Sequence, residues 1–380
     1  MQSRPVAFVL LARGFGAATW NKRFHQGKII GLNEEYAYGY HHAEKAGVDV
    51  RYSEDAPEGL LGKFVRLATR AVLGFDLVHA WHNREAFFAA DVVWTHTESQ
   101  GLAAGLLCWL HPRTRAPRMI LQSVWICDRW DSYSRLKQSL YRKLLAKGSI
   151  LTFHSPLNLA KAQATFPGQR CELVRFGIAA DQKVAPQVTP GQQPVRLLAL
   201  GNDRHRDWAT LIEAVRGRDD LSLTVVSGTM PKALIKHMSN CQVVRPTHND
   251  ELNGLFANAD MVIVPLQPNL HVSGITVLQE AVIKGRPVIV SDVGGLRAYF
   301  GDDDVWYVRP NDIAALQATI AEIADQPERA LAKAITAQAK TGPDGLSSKA
   351  FARDHVRLSL ELLNNETTPE LRGRLRECSF

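Results

Sequence analysis

A chain of 380 residues that is 46% apolar and 22% charged has room for two cores of ordinary size, and no stretch of it approaches the roughly 18 apolar residues that cross a bilayer. Five cysteines, odd in number, widely spread and without metal-ligand spacing, argue against a disulfide framework or a zinc site and fit a reducing cytosol. The net charge of +7 lies wholly in the first 182 residues, where 23 Lys and Arg outweigh 15 Asp and Glu, and the lack of interleaved aromatics disfavours nucleic acid as the partner.

In chain order, the first half offers strand-like apolar runs at 6–12, 48–52, 76–79, 92–96, 119–124 and 150–154, alternating with helix-period segments. The run 6–12 is soon followed by Arg13 and closely spaced glycines, and reads as a first strand, not a signal peptide. Gly14 and Gly16 open the stretch Arg13-Gly14-Phe15-Gly16-Ala17-Ala18-Thr19, a partial dinucleotide fingerprint whose third small position is Thr19. Two uses of these glycines are open, a close backbone approach to a phosphate or a tight turn.

Further on, Lys63, Arg66 and Arg70 share a helical face, and Arg135, Lys137, Arg142, Lys143 and Lys147 surround four leucines. With Arg113, Arg115 and Arg118 they give either an electropositive, partly apolar rim suited to an anionic membrane, or helices whose leucines face a sheet and whose cations face water. His96, Glu98 and Ser99 follow a strand edge where α/β domains bind ligands; Glu98 orients a hydroxyl or caps the helix that starts there.

Residues 183–194, with Pro186, Pro190, Gly191 and Pro194, have no period of either kind and read as an interdomain linker. Strands are expected again at 196–200, 221–226, 242–245, 260–265, 287–290 and 305–308. A helix over 350–363 closes the globular part and the tail from 364 reads as loosely ordered. Alternation of this kind implies two α/β domains with parallel sheets.

The most informative stretch is Ser273-Gly274-Ile275-Thr276-Val277-Leu278-Gln279-Glu280-Ala281, which follows a strand and a polar loop. Ser273-Gly274 should open a helix whose free amides and positive dipole end suit a diphosphate. Glu280, about two turns in, can accept hydrogen bonds from ribose hydroxyls. The competing interpretation is a simple helix cap with a solvated glutamate.

Glu280-Ala281, Gly285, Pro287-Val288-Ile289 and Asp292 resemble the donor-binding segment of retaining glycosyltransferases of family four, also called group 1. Leu200-Gly201 followed by Arg206-Asp207 and Leu211-Ile212-Glu213-Ala214 resembles the segment in which that family binds donor phosphates. Arg175-Phe176-Gly177-Ile178 is similar to the family's turn into the linker. The resemblance implies a GT-B fold, an α/β architecture of two Rossmann-like, doubly wound domains facing each other across a donor and acceptor cleft. Residues 1–182 would hold the acceptor and 195–349 the nucleotide-sugar, with 350–380 packing back on the first domain.

It further implies donor contacts from Gly14, Gly16, Gly201, Arg204, Arg206, Gly228, Arg245, Ser273, Gly274, Ile275, Thr276 and Glu280. Arg206 stands where the family usually has a lysine, and fixed cations are needed there because the leaving diphosphate gains charge. The family's second glutamate is replaced by Val272, so His271 becomes the substitute candidate, and Trp125 stands where a catalytic histidine is common, leaving Asp128 as a polar candidate.

The implied activity is retaining transfer of a hexose-type sugar from a UDP- or GDP-linked donor to a glycan or lipid-diphosphate-linked acceptor, in bacterial surface polysaccharide assembly. It needs no metal or other cofactor, and no compact Asp/Glu/His cluster is evident along the chain. A sugar-nucleotide epimerase of the same architecture and a non-catalytic nucleotide-sugar-binding scaffold are the alternatives. The expected location is the cytoplasm, with peripheral contact at the inner membrane face through the basic first lobe.

Overall fold

A computed structural model describes residues 4–188 and 193–364. Pro190 and Gly191 of the expected linker, and the tail from residue 365 with Cys378, lie outside the described residues.

Twelve strands form two parallel six-stranded sheets. The first contains β1 (Val6–Leu10), β2 (Asp49–Tyr52), β3 (Val92–Thr95), β4 (Arg118–Ser123), β5 (Ile150–Phe153) and β6 (Cys171–Leu173), in the order β2-β1-β3-β4-β5-β6. The second contains β7 (Val195–Leu200), β8 (Leu221–Val226), β9 (Cys241–Val244), β10 (Met261–Val264), β11 (Val288–Ser291) and β12 (Trp306–Val308), in the order β12-β11-β10-β7-β8-β9. Strands β3, β5, β10 and β11 are buried at every position, which is why they read as unbroken apolar runs: helices cover both faces of each sheet.

The strand order reverses between β1 and β3 in one sheet and between β7 and β10 in the other. At such points the loops leaving the strand ends diverge and open a crevice, the usual ligand site of doubly wound sheets. The sequence therefore places Arg13–Gly16 at one crevice, and Gly201–Arg206 with Leu266–Gly274 at the other.

Two local expectations are corrected. Residues 76–79 are not a strand: Asp76 accepts a hydrogen bond from the His79 amide at 3.0 Å and caps the helix Leu77–His82. A short apolar run has no decisive period, and the cap settles it. The three-residue strand β6 was too brief to leave a pattern.

The lobes share one apolar core in addition to a core of their own. Across it the Tyr299 hydroxyl donates to the His154 carbonyl at 2.8 Å and accepts from the Phe176 amide at 2.9 Å. The helix Ser348–Asn364 crosses from the second lobe to the first, where the Trp94 indole donates to Ser359 Oγ at 2.9 Å.

Candidate functional site

Arg206 is 8% exposed, and its Nε and Nη1 have no hydrogen-bond partner. Backbone pairing of Arg206 with Leu266 and the Asp207 amide bond to the Pro265 carbonyl fix its loop against the end of β10. Two glycines make room for the guanidinium. A Cβ on Gly201 would lie 1.9 Å from Arg206 Nε, and one on Gly274 would lie 2.7 Å from Nη1. Gly274, at φ +82°, is the N-cap of the helix Ile275–Ile283, so the cation sits under a helix N-terminus. Ser273 Oγ is buried there without a partner. Burial lowers the Arg206 pKa to about 10, offset in part by Asp203. A buried cation, an unpartnered hydroxyl and first-turn amides without intrahelical acceptors together form a site suited to an anion.

Beside it, His271 links the lobes. Its Nδ1 lies 2.9 Å from Asp128 Oδ2 and its Nε2 lies 3.5 Å from Asp203 Oδ2, while Asp128 Oδ1 accepts from the Leu270 amide at 2.7 Å. Burial pulls the imidazole pKa down, but the bonds to both carboxylates and their charges outweigh it and raise the net value. Asp128 moves down: burial opposes its charge, and the His271 and Leu270 bonds overcome it. Val272 is buried and apolar, and Trp125 presents its ring edgewise to His271 at 6.1 Å.

Glu280 is 6% exposed and faces the first lobe. Its Oε1 accepts from the Leu32 amide at 3.0 Å; Asn249 holds the same loop through the Gly31 amide at 2.8 Å. Its Oε2 receives no hydrogen bond from the described residues. Burial raises the Glu280 pKa to about 7. A cavity of about 130 Å³ lies alongside, lined by Thr276, Gly177 and the 30–34 loop among others. The solvated-glutamate interpretation is thereby excluded.

The remaining second-lobe candidates lie further out. Gly228 donates to Asn202 Oδ1 at 2.6 Å and accepts from Arg245 Nη2 at 3.1 Å. Arg245 and Arg204 are exposed at the rim. Ile275 is buried in the shared core and contributes backbone only.

In the first lobe, a cavity of about 840 Å³ opens at the ends of β1 and β3, lined by Gly14, Asp55, Arg66, His79, Gln100 and Trp125 among others. The Gly14 amide is already taken, at 3.0 Å from both oxygens of Asp55, and Gly16 has backbone at 2.8 Å from its would-be Cβ. These glycines thus make a tight turn against the 53–55 segment. Glu98 Oε2 accepts from the amides of Val124 and Trp125 at 3.1 and 3.2 Å, so it holds the loop after β4, while Thr97 and Gln100 cap its own helix. His96 is buried, stacked 3.4 Å from Tyr38, with its pKa pushed well down by burial.

Contrary to the sequence expectation, the fold does assemble compact clusters of metal-ligating type. Asp203, His205 and His271 form one, and Glu34, His41 and His42 another. Sequence reasoning also missed Asp203 and Asn249 altogether; an acidic residue two positions beyond Gly201 was the available signal for the first.

Residues 178–326 match the family model described as Glycosyl transferases group 1. The glycogen synthases of two Mycobacterium tuberculosis strains are 27% identical over 210 residues, covering 52% of this chain and 50% of theirs. The chain thus spans about half the length of the curated relatives it matches. Sucrose-phosphate synthase from Thermosynechococcus elongatus superposes with a TM-score of 0.72 at 17% identity, over 95% of this chain and 100% of that one. Anabaena HepE, solved with UDP-glucose, gives 0.61 at 12% identity over 93% and 99%. The fold is therefore GT-B.

Proposed function

Residues 178–326 carry the group 1 glycosyl transferase match on a GT-B fold, and from that premise we propose that the chain is a retaining glycosyltransferase. In this reading it moves a hexose-type sugar from a UDP- or GDP-linked donor to a glycan or lipid-diphosphate-linked acceptor in surface polysaccharide assembly. The observation that carries it is the buried, unpartnered guanidinium of Arg206 beneath the Gly274 helix N-terminus. A cation there neutralises the leaving diphosphate as the glycosidic bond breaks, in a site too dry for water to do it. The 130 Å³ cavity beside Thr276 suits the ribose, with Glu280 on its wall.

The acceptor hydroxyl, held in the first-lobe cavity, attacks from the face the diphosphate leaves, and a phosphate oxygen helps take the proton. His271, set between Asp128 and Asp203, is proposed to hold the two lobes in register beside the sugar. Charge neutralisation falls to Arg206 and the helix terminus, not to a metal. Among the described residues no helix is long and apolar enough to cross a membrane; the reading puts the chain in the cytoplasm, in peripheral contact with the inner membrane face.

A thermal-shift screen of nucleoside diphosphates and nucleotide-sugars tests the donor claim, since a ligand of the folded state raises Tm by mass action. UDP or GDP should protect the wild type and fail to protect Arg206→Ala; equal protection of both removes the proposal. Recovery of an altered free nucleotide-sugar in place of a transfer product would instead make the chain an epimerase.

A further inference from the structure

The helix Leu60–Leu73 is built inside out. At about 100° per residue, Leu61, Phe64, Val65, Ala68 and Val72 form one stripe, and Lys63, Arg66 and Arg70 another. From the basic stripe Arg66 turns toward the body, while Lys63 and Arg70 stay exposed beside it. Arg66 donates from Nε to Glu58 at 2.7 Å and from Nη1 to Asp76 at 3.3 Å, and with Arg70 it lines the large first-lobe cavity. The apolar stripe turns away: Leu61, Phe64 and Val72 are 77%, 70% and 81% exposed, and the helix has no buried residue.

Six of the fifteen exposed large apolar side chains among the described residues sit on this one helix. The second basic helix behaves in the ordinary way, since Arg135–Leu145 buries Tyr141, Leu144 and Leu145 and turns most of its cations to water. An apolar stripe left in water on one helix and not on its neighbour marks a surface that something covers.

Charge selects the occupant. The two helices are adjacent, with the Tyr141 hydroxyl donating to the Leu73 carbonyl at 2.8 Å. Together they carry seven Lys and Arg and no acidic residue. Leu136, and Trp109 on a helix packed against Arg135–Leu145, are further exposed apolar side chains of this lobe, the tryptophan of the kind that settles at headgroup level. A second copy meeting this face about a two-fold axis would bring like charges together. An anionic bilayer offers hydrocarbon to the apolar stripe and negative charge to the flanking cations.

We propose that the helix Leu60–Leu73 inserts shallowly into an anionic lipid surface, and that Arg66 and Arg70, which line the first-lobe cavity beside it, thereby set the mouth of that cavity at headgroup level. A phosphate-bearing, lipid-linked molecule then enters that cavity sideways from the membrane. The membrane contact stands on the exposed stripe alone; the entry of an acceptor rests on the glycosyl-transfer reading.

The test uses the full chain and sedimentation with phosphatidylcholine vesicles, with and without phosphatidylglycerol. Wild type should co-sediment with the anionic vesicles at low salt and remain free of the neutral ones. Leu61→Glu with Phe64→Glu, both at exposed positions, should weaken retention about tenfold or more without changing the melting temperature. Lys63→Glu with Lys143→Glu should weaken it less and flatten its salt dependence.

No retention of the wild type, retention indifferent to the Leu61 and Phe64 changes, or a dimer abolished by them, each overturns the proposal. Protection by UDP or GDP is followed in the same preparations. Lost protection with intact vesicle binding sinks the transferase reading alone, and lost vesicle binding with intact protection sinks the membrane contact alone.

Discussion

The amide of Leu32, in the first lobe, donates to Oε1 of Glu280, in the second, at 3.0 Å. The carboxylate placed to read a ligand in one lobe is thus already held by the backbone of the other, and its burial raises its pKa from 4.5 to about 7.

The Glu280 shift has a sign that can be measured. Its folded pKa lies above the unfolded one, so between the two values the folded state binds more protons and stability falls as pH rises. At pH 8 the ionised, buried group costs about 3 kcal/mol relative to a neutral one. Glu280→Gln keeps an oxygen for Leu32 and removes the charge. Urea unfolding should show the variant to be the more stable protein at pH 8, with the gap closing toward pH 5, while donor affinity falls about tenfold or more. A variant less stable than wild type at pH 8 would contradict this account.

Arg206 should behave as a group retained for binding at the expense of stability. Its guanidinium is buried with two nitrogens unpartnered, an unfavourable state without an anion. Arg206→Ala is expected to lower kcat/KM about 100- to 1000-fold while leaving the ligand-free melting temperature unchanged or higher. Steady-state kinetics and a thermal melt on the same sample decide it.

The glycines around that cation leave it no slack. Gly201→Ala puts a methyl where Arg206 Nε now lies, and at φ +143° an alanine is strained in any case. The expected outcome is loss of diphosphate binding, read by calorimetry, together with destabilisation of about 1–3 kcal/mol.

His271 and Asp128 make a clamp with two pH limits. The raised His271 pKa contributes stability that is complete below 6.5 and is lost as pH rises through the folded value. The lowered Asp128 pKa contributes stability present above 3.8 and lost as pH falls through its folded value. Asp128→Asn should lower the His271 pKa in an NMR titration and cost about 3 kcal/mol, because it strands a buried charge. An unmoved His271 resonance would show that Asp203 alone holds the ring.

Metal removal separates two uses of the Asp203, His205 and His271 group. If Arg206 supplies the charge at the leaving diphosphate, extensive chelation leaves turnover unchanged. Activity lost to chelator and restored by a divalent ion would transfer that role from the arginine to the cluster.

Local pattern alone determined a good deal of this protein. Eleven of the twelve strands match the expected runs, overrunning them by one residue at most, because central strands covered on both faces are continuously apolar. The helix opening after Ser273-Gly274 was legible as well, since a small-residue turn before a periodic segment is a short-range signal. Glu280 was found from its place in that helix, and Arg206 from the resemblance of the segment after Gly201 to the family's phosphate-binding segment.

Tertiary structure decided the rest. Leu32 and Glu280 are 248 positions apart, and Asp128 and His271 are 143 apart, so no spacing rule connects them; the closure of one lobe on the other does. The helix Leu60–Leu73 is the sharper case. Its periodicity put Lys63, Arg66 and Arg70 on one face, but periodicity carries no sign. Which stripe meets the body was settled by Glu58 and Asp76, whose carboxylates hold Arg66 and so turn the leucines outward.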